Sequence, residues 1–137
     1  MASRKAAELL SNKVLTERVI ALATRMRQLQ AQQDEAESQE SEQMWNRLRA
    51  AKSQEERNAL SQQSVADELQ MNRRIQAIYE TTMEGEARFL RDEMLAKLPP
   101  QPKTPEAAFF DSGALAGAKP LDDNANYLES LARKLPQ

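Results

Sequence analysis

Apolar side chains recur at Leu15, Val19, Leu22, Met26 and Leu29, in steps of four, three, four and three residues. That spacing holds them on one side of an α-helix and is the a/d seam of a coiled coil. Extending the frame places Asn12 before the seam and Gln33, Ala36 and Glu40 after it, so it is apolar for barely two heptads and then turns polar. Leu10, Val14 and Ile20 lie beside the seam and widen it, which suits packing against more than one helix. Asn12 either sets register from an a-like position or lies in the frayed first turn.

Beyond Gln28 the chain is rich in Gln and then acidic, which predicts a solvated helical stretch or a frayed bend. Met44, Trp45 and Leu48 restart an apolar face. Trp45 is the single Trp; the reading is a packed side chain, with an exposed binding hot spot as the alternative. Ser53-Gln-Glu-Glu56 fits a capping box, which either opens a second helix or sits inside an uninterrupted one. A second stripe of Ile75, Tyr79, Met83, Ala87, Leu90, Met94 and Leu98 runs for more than six turns, with Val65, Leu69, Met71 and Ile78 beside it. Gly85 inside this stripe marks a bend or a close contact. Pro99 and Pro100 end it.

The remainder reads as a tail. Residues 99–104 form a Pro-rich linker of polyproline character. Thr104-Pro105-Glu106 is a helix start, with a Thr cap, Pro at the first position and an acid in the first turn. Asp111-Ser-Gly113 stops that helix. A final amphipathic helix carries Leu121, Leu128, Leu131 and Leu135, with Asp122 or Asp123 as its cap.

Composition then removes whole classes of fold and chemistry. The chain has 137 residues, and neither Gly nor Pro occurs before Gly85. Sheets need turns every ten residues or so, and turns draw on Gly, Pro, Asn and Asp, so a β-rich fold is excluded. Cys and His are both absent, which removes disulfide frameworks, thiolate nucleophiles, the commonest general base and the usual zinc ligands. No Gly-rich phosphate loop is present, and Asp122-Asp-Asn124 and Asp34-Glu35 lack the loop that calcium sites use. The expectation is no enzyme, no cofactor and no metal.

Net charge is only −2, yet it is segregated along the chain. Residues 1–33 carry +4, residues 34–44 carry −5, and residues 45–98 balance nine bases against nine acids. Arg18 and Arg25 lie seven apart on one helical face, with Arg4, Lys5, Lys13 and Arg27 nearby, and are the candidate contacts for an anionic partner. Nucleic acid is disfavoured because pI is about 5.3 and no aromatics interleave with the bases. An anionic membrane surface is disfavoured because the basic helix has no Trp or Phe anchor. The longest apolar run near the N-terminus, residues 19–23, is too short for a signal peptide or a membrane span. These features predict a soluble, intracellular chain, cytoplasmic rather than nuclear.

The expected fold is all-α: a long helical hairpin or coiled coil over residues 1–98, either broken near 34–53 or continuous there, then a mostly extended tail over 99–137 that carries short helices. The expected role is a structural or adaptor subunit with a helical protein partner, self or other. Its predicted contacts are Leu15, Val19, Leu22, Met26, Leu29, Ile75, Tyr79, Leu90 and Met94 on the stripes. Phe109, Phe110, Leu128, Leu131 and Leu135 of the tail are expected to dock on a second surface, because a tethered pair of short apolar elements suits groove binding. The alternative is a nucleic-acid or anionic-membrane module working through the basic N-terminal helix.

Overall fold

The structure, a computed structural model, describes residues 10–136; residues 1–9, with Arg4 and Lys5, lie outside it. Helix accounts for 83% of the described residues, and no strand occurs among them.

Helix α1 spans Asn12–Ala50, 39 residues and about 60 Å at 1.5 Å per residue. The Ser11 hydroxyl caps it, accepting from the Val14 N–H at 3.1 Å. The helix passes through the acidic block unbroken. There Gln30–Asp34, Gln33–Glu37 and Gln39–Glu35 side-chain bonds, one turn apart, support it in place of buried apolar contacts. The break is therefore confined to residues 51–53. Ser53 accepts from the Glu56 N–H at 3.1 Å, and Glu56 Oε2 accepts from the Lys52 N–H at 2.9 Å. The capping box thus opens helix α2, Gln54–Thr82.

Helix α3, Glu84–Lys97, follows after Met83, whose φ of −131° is the single non-helical step between the two. Backbone bonding continues across this step, with Met83 N–H on the Tyr79 carbonyl and Ala87 N–H on the Met83 carbonyl, both at 2.9 Å. The bend falls at Met83, two residues before the Gly85 that pointed to it. Together α2 and α3 run antiparallel to α1. Gln33 Nε2 donates to Asn72 Oδ1, Arg25 to the Thr82 carbonyl, and Lys97 Nζ to the Leu10 carbonyl.

The segment after Pro99 departs from the expected extended tail. Thr104 caps helix α4, Pro105–Ser112, accepting from the Ala107 N–H at 3.2 Å. Gly113, at φ 70°, ends it in the left-handed conformation that glycine adopts without strain. Helix α5, Pro120–Lys134, is longer than α3. It begins at Pro120, so Asp122 and Asp123 lie in its first turn and neither caps it. It lies antiparallel to α1: its first turn meets Gln30, and at its far end Asn12 Nδ2 donates to the Pro136 carbonyl at 2.7 Å. Asn12 thus ties the first turn of α1 to the end of the chain.

The result is a three-helix bundle of the first half of α1, α3 and α5. Its core joins Leu15, Leu22 and Met26 to Tyr79, Leu90, Met94, Leu121 and Leu128, and α4 adds Phe110. Arg91 connects α3 to α4: it pairs with Asp111 and lies 5.1 Å over the Phe110 ring, which in turn packs on Tyr127 of α5. Outside the bundle, the rest of α1 and the first part of α2 form a two-helix arm. Between residues 34 and 74 only Met44 and Ala51 are buried.

Candidate interaction surface

The two predicted stripes meet each other. Leu15, Val19, Leu22, Met26, Leu29, Ile75, Tyr79, Leu90 and Met94 are all buried in one intramolecular cluster. Phe110, Leu128, Leu131 and Leu135 belong to the same cluster, and Phe109 is half-buried. Within this chain the stripes form the core seam and the tail folds back onto it, so these side chains are not open to a partner. Linker and tail fold back because a two-helix seam leaves the wide apolar face of α1 uncovered, and α5 covers it. Burial also changes the chemistry of Tyr79, whose phenol is pushed up to about 12 by desolvation.

The candidate cations are engaged within the chain as well. Arg18 and Arg25 reach opposite oxygens of Glu86 at 3.4 and 3.8 Å, and Arg18 lies 5.4 Å over the Phe89 ring. Arg27 holds Glu129 of α5, and this hydrogen bond keeps the Glu129 carboxyl below its usual range while raising the guanidinium.

What the bundle does for one part of α1 it leaves undone for the other. The α5 side of α1 is a stripe of Thr16, Ile20, Arg27, Gln30 and Asp34. Arg27 bonds Asn126 and Glu129, Gln30 takes the Leu121 N–H, Asp34 pairs with Lys119, and Thr16 and Ile20 border Ala132. Steps of four and three carry that stripe onward to Glu37, Ser41, Trp45 and Leu48. Past Asp34 no third helix covers it.

There the two helices of the arm flank a groove of about 370 Å³. Met44, Trp45, Leu48 and Met71 supply its apolar lining. Every charged residue that lines it is acidic: Glu37, Glu40 and Glu68. Trp45 is 62% exposed, which overturns the expectation of a packed Trp. Val65 and Leu69, at 58% and 53%, follow groove-lining Ser64 and Glu68 by one residue each. Helical periodicity puts them on the same flank, because Asp67, Gln70 and Arg74 line the opposite one. Gln76 marks this flank on the bundle side, bonding the Gly113 carbonyl and the Leu115 N–H at 2.9 and 3.0 Å.

The charges of the arm are segregated and unpaired. All seven ion pairs among the described residues involve groups of the bundle. None involves Glu35, Glu37, Glu40, Glu42, Asp67 or Glu68 near the base of the arm, or Arg47, Arg49, Lys52 or Arg57 near its tip. Glu40 Oε1 is enclosed in the seam with no hydrogen-bond donor in reach.

A second, larger cleft of about 540 Å³ lies between the linker and α5, and both signs of charge line it, including Glu106, Asp123, Arg133 and Lys134. Among the described residues no group of three or more acidic side chains is placed to hold a metal ion. No helix among them is long and apolar enough to cross a membrane. Comparisons with family models, curated proteins and solved structures return no match to this chain.

Proposed function

We propose that this chain is a non-enzymatic structural or adaptor subunit that takes a helical protein partner along the open flank of its arm. The observation that carries this reading is the continuity of one stripe. At the bundle end α5 covers it; from Glu37 to Leu48 it continues with an exposed Trp and no cover. A helix laid there would extend the packing that α5 makes. Trp at the centre of such a groove is a strong anchor, because it buries a large rigid surface at little entropic cost. The groove offers no His, Cys or other ready nucleophile–base pair, and this supports binding rather than catalysis.

This reading moves the contact from the stripes and the tail, both buried within the chain, to the arm. The nucleic-acid or membrane alternative gains nothing from Arg18 and Arg25, since Glu86 engages both. A photo-crosslinking amino acid at position 45, compared in cells with one at exposed Ala21, tests the proposal. Discrete protein adducts from position 45 and none from position 21 are expected. Equal labelling from both positions, or none from position 45, overturns it.

A further inference from the structure

The arm combines three features that bear on what covers its groove. First, its seam is poor: Gln33, Ala36 and Glu40 continue the seam that Leu22, Met26 and Leu29 make in the bundle, and from residue 34 onward only Met44 and Ala51 are buried along it. A helical pair this long gains little without an apolar seam. Second, apolar side chains that a seam would use stand on one flank instead, as Trp45, Val65 and Leu69. Third, charge runs along the arm as a gradient. Residues 34–44 and 61–72 hold seven acids and no base, with Arg73 and Arg74 following at the foot of the arm and Arg74 on the flank opposite the groove, whereas residues 45–60 hold Arg47, Arg49, Lys52 and Arg57 against Glu55 and Glu56.

We infer that the occupant of the groove is the arm of a second copy of this chain, packed antiparallel and flank to flank to make a four-helix bundle. The inference rests on the adaptor reading above and names its partner. Placed antiparallel with the two Trp45 side chains near the centre, each acidic base lies beside the other copy's basic tip. Glu37 and Glu68 of one arm then face Arg49 and Arg57 of the other, which pairs charges that make no ion pair among the described residues. A parallel arrangement sets base on base and is repelled. Trp45 and Leu48 become the centre of the interface, with Val65 and Leu69 of each copy flanking them toward its base beside the ion pairs. Charges in that position set orientation and partner choice more than raw affinity. The exposed apolar strip would otherwise be a liability for a chain of such low net charge. Heterologous self-contacts would build open fibres, whereas this two-fold contact closes.

The test uses the full chain and reads mass by light scattering, with helicity by circular dichroism to show that each variant is folded. Wild type is expected to form a dimer at micromolar concentration, with a Trp45 emission that shifts to the blue as the dimer forms. Trp45→Glu, at an exposed position, is expected to be a helical monomer. The decisive comparison is a charge exchange. A base variant (Glu37→Lys, Glu68→Lys) and a tip variant (Arg49→Glu, Arg57→Glu) are each expected to be monomeric. Both exchanges carried together in one chain are expected to restore the dimer, because each reversed base again meets a reversed tip, whereas a parallel pair would still set like charge on like.

Failure of the doubly exchanged chain to dimerise while wild type dimerises overturns the antiparallel geometry. A monomeric wild type overturns the second copy as occupant. In that case crosslinks from position 45 to a different protein leave the adaptor reading standing, and their absence removes that reading too. A dimer that survives Trp45→Glu places self-association elsewhere on the chain and also overturns the inference.

Discussion

The side-chain carbonyl of Gln30 accepts a hydrogen bond from the backbone N–H of Leu121 at 2.9 Å, so a residue of α1 caps the first turn of α5. Lys119 occupies the cap position and offers no side-chain oxygen, and Pro120 has no N–H to satisfy. Gln30 is 1% exposed, and its amide donates in turn to Asp34, which also meets Lys119. Gln30→Leu keeps the volume and leaves the Leu121 N–H buried without an acceptor. The expected cost is about 1–3 kcal/mol. It is read as a lower denaturant midpoint at unchanged slope, with faster hydrogen exchange confined first to the start of α5.

Tyr79 makes the bundle sensitive to alkali. Its phenol titrates near 10 in the unfolded chain and is pushed up to about 12 in the fold, because burial disfavours the phenolate. A raised pKa stabilises the fold fully below the unfolded value. The contribution is then lost as pH rises through the folded one, since the unfolded chain releases its proton first. Stability is therefore expected to hold to about pH 10 and to fall by roughly 2–3 kcal/mol by pH 12. Tyr79→Phe should flatten that part of the curve. Denaturant melts from pH 8 to pH 12, compared with those of Tyr127→Phe, separate this phenol from the other one.

The element types were legible because the signals were local. The four-three steps from Leu15 to Leu29, the Ser53 capping box and the Thr104-Pro105 start each describe a single helix, and the two helices with a readable cap begin where it says. What the pattern could not supply was the pairing between elements. Leu128, Leu131 and Leu135 look the same whether they await a partner or fold onto Leu15 and Val19. Only the three-dimensional course of the linker decides between these. The start of α5 was missed for a related reason: its cap comes from Gln30, 91 positions away. The groove had one visible sign, a Trp beside an acidic run, and its meaning depended on the start of α5 at Asp34, beyond which nothing covers the stripe.

Two glycines should respond to Ala with opposite signs. Gly85 lies in the first turn of α3, and a methyl group there meets nothing within 4 Å. Gly85→Ala should stabilise the fold by about 0.5–1 kcal/mol through reduced freedom of the unfolded chain. Gly113 has φ 70°, and a Cβ there would come within 3.0 Å of Arg88 Nη2 and 3.4 Å of Glu84 Oε2. Gly113→Ala should cost about 1 kcal/mol or more, from the left-handed backbone and the displaced ion pair together. Thermal melts of the two variants beside wild type give both signs in one experiment; a shift in the same direction for both would contradict the account.

The arm should be the first part of the molecule to open. Local stability follows buried apolar contact, and between residues 34 and 74 only Met44 and Ala51 are buried, against a full core beside residues 15–29. Amides of residues 36–48 and 58–72 are therefore expected to exchange by local opening, well before those of residues 15–29. Glu40 offers a way to change this order. Its Oε1 is enclosed in the seam without a donor, so replacing the carboxylate by an apolar side chain removes a desolvation cost and adds a contact with Met71. Glu40→Leu should strengthen the arm by about 1 kcal/mol, or several-fold in amide protection, while exchange in α5 stays as it was. Gln32→Leu, on the exposed side of the same helix, should leave both unchanged. Measuring exchange at low protein concentration keeps the comparison within one chain. Equal protection along the whole of α1 would show that the arm is held as firmly as the bundle, and the poor seam would then not be its weak point.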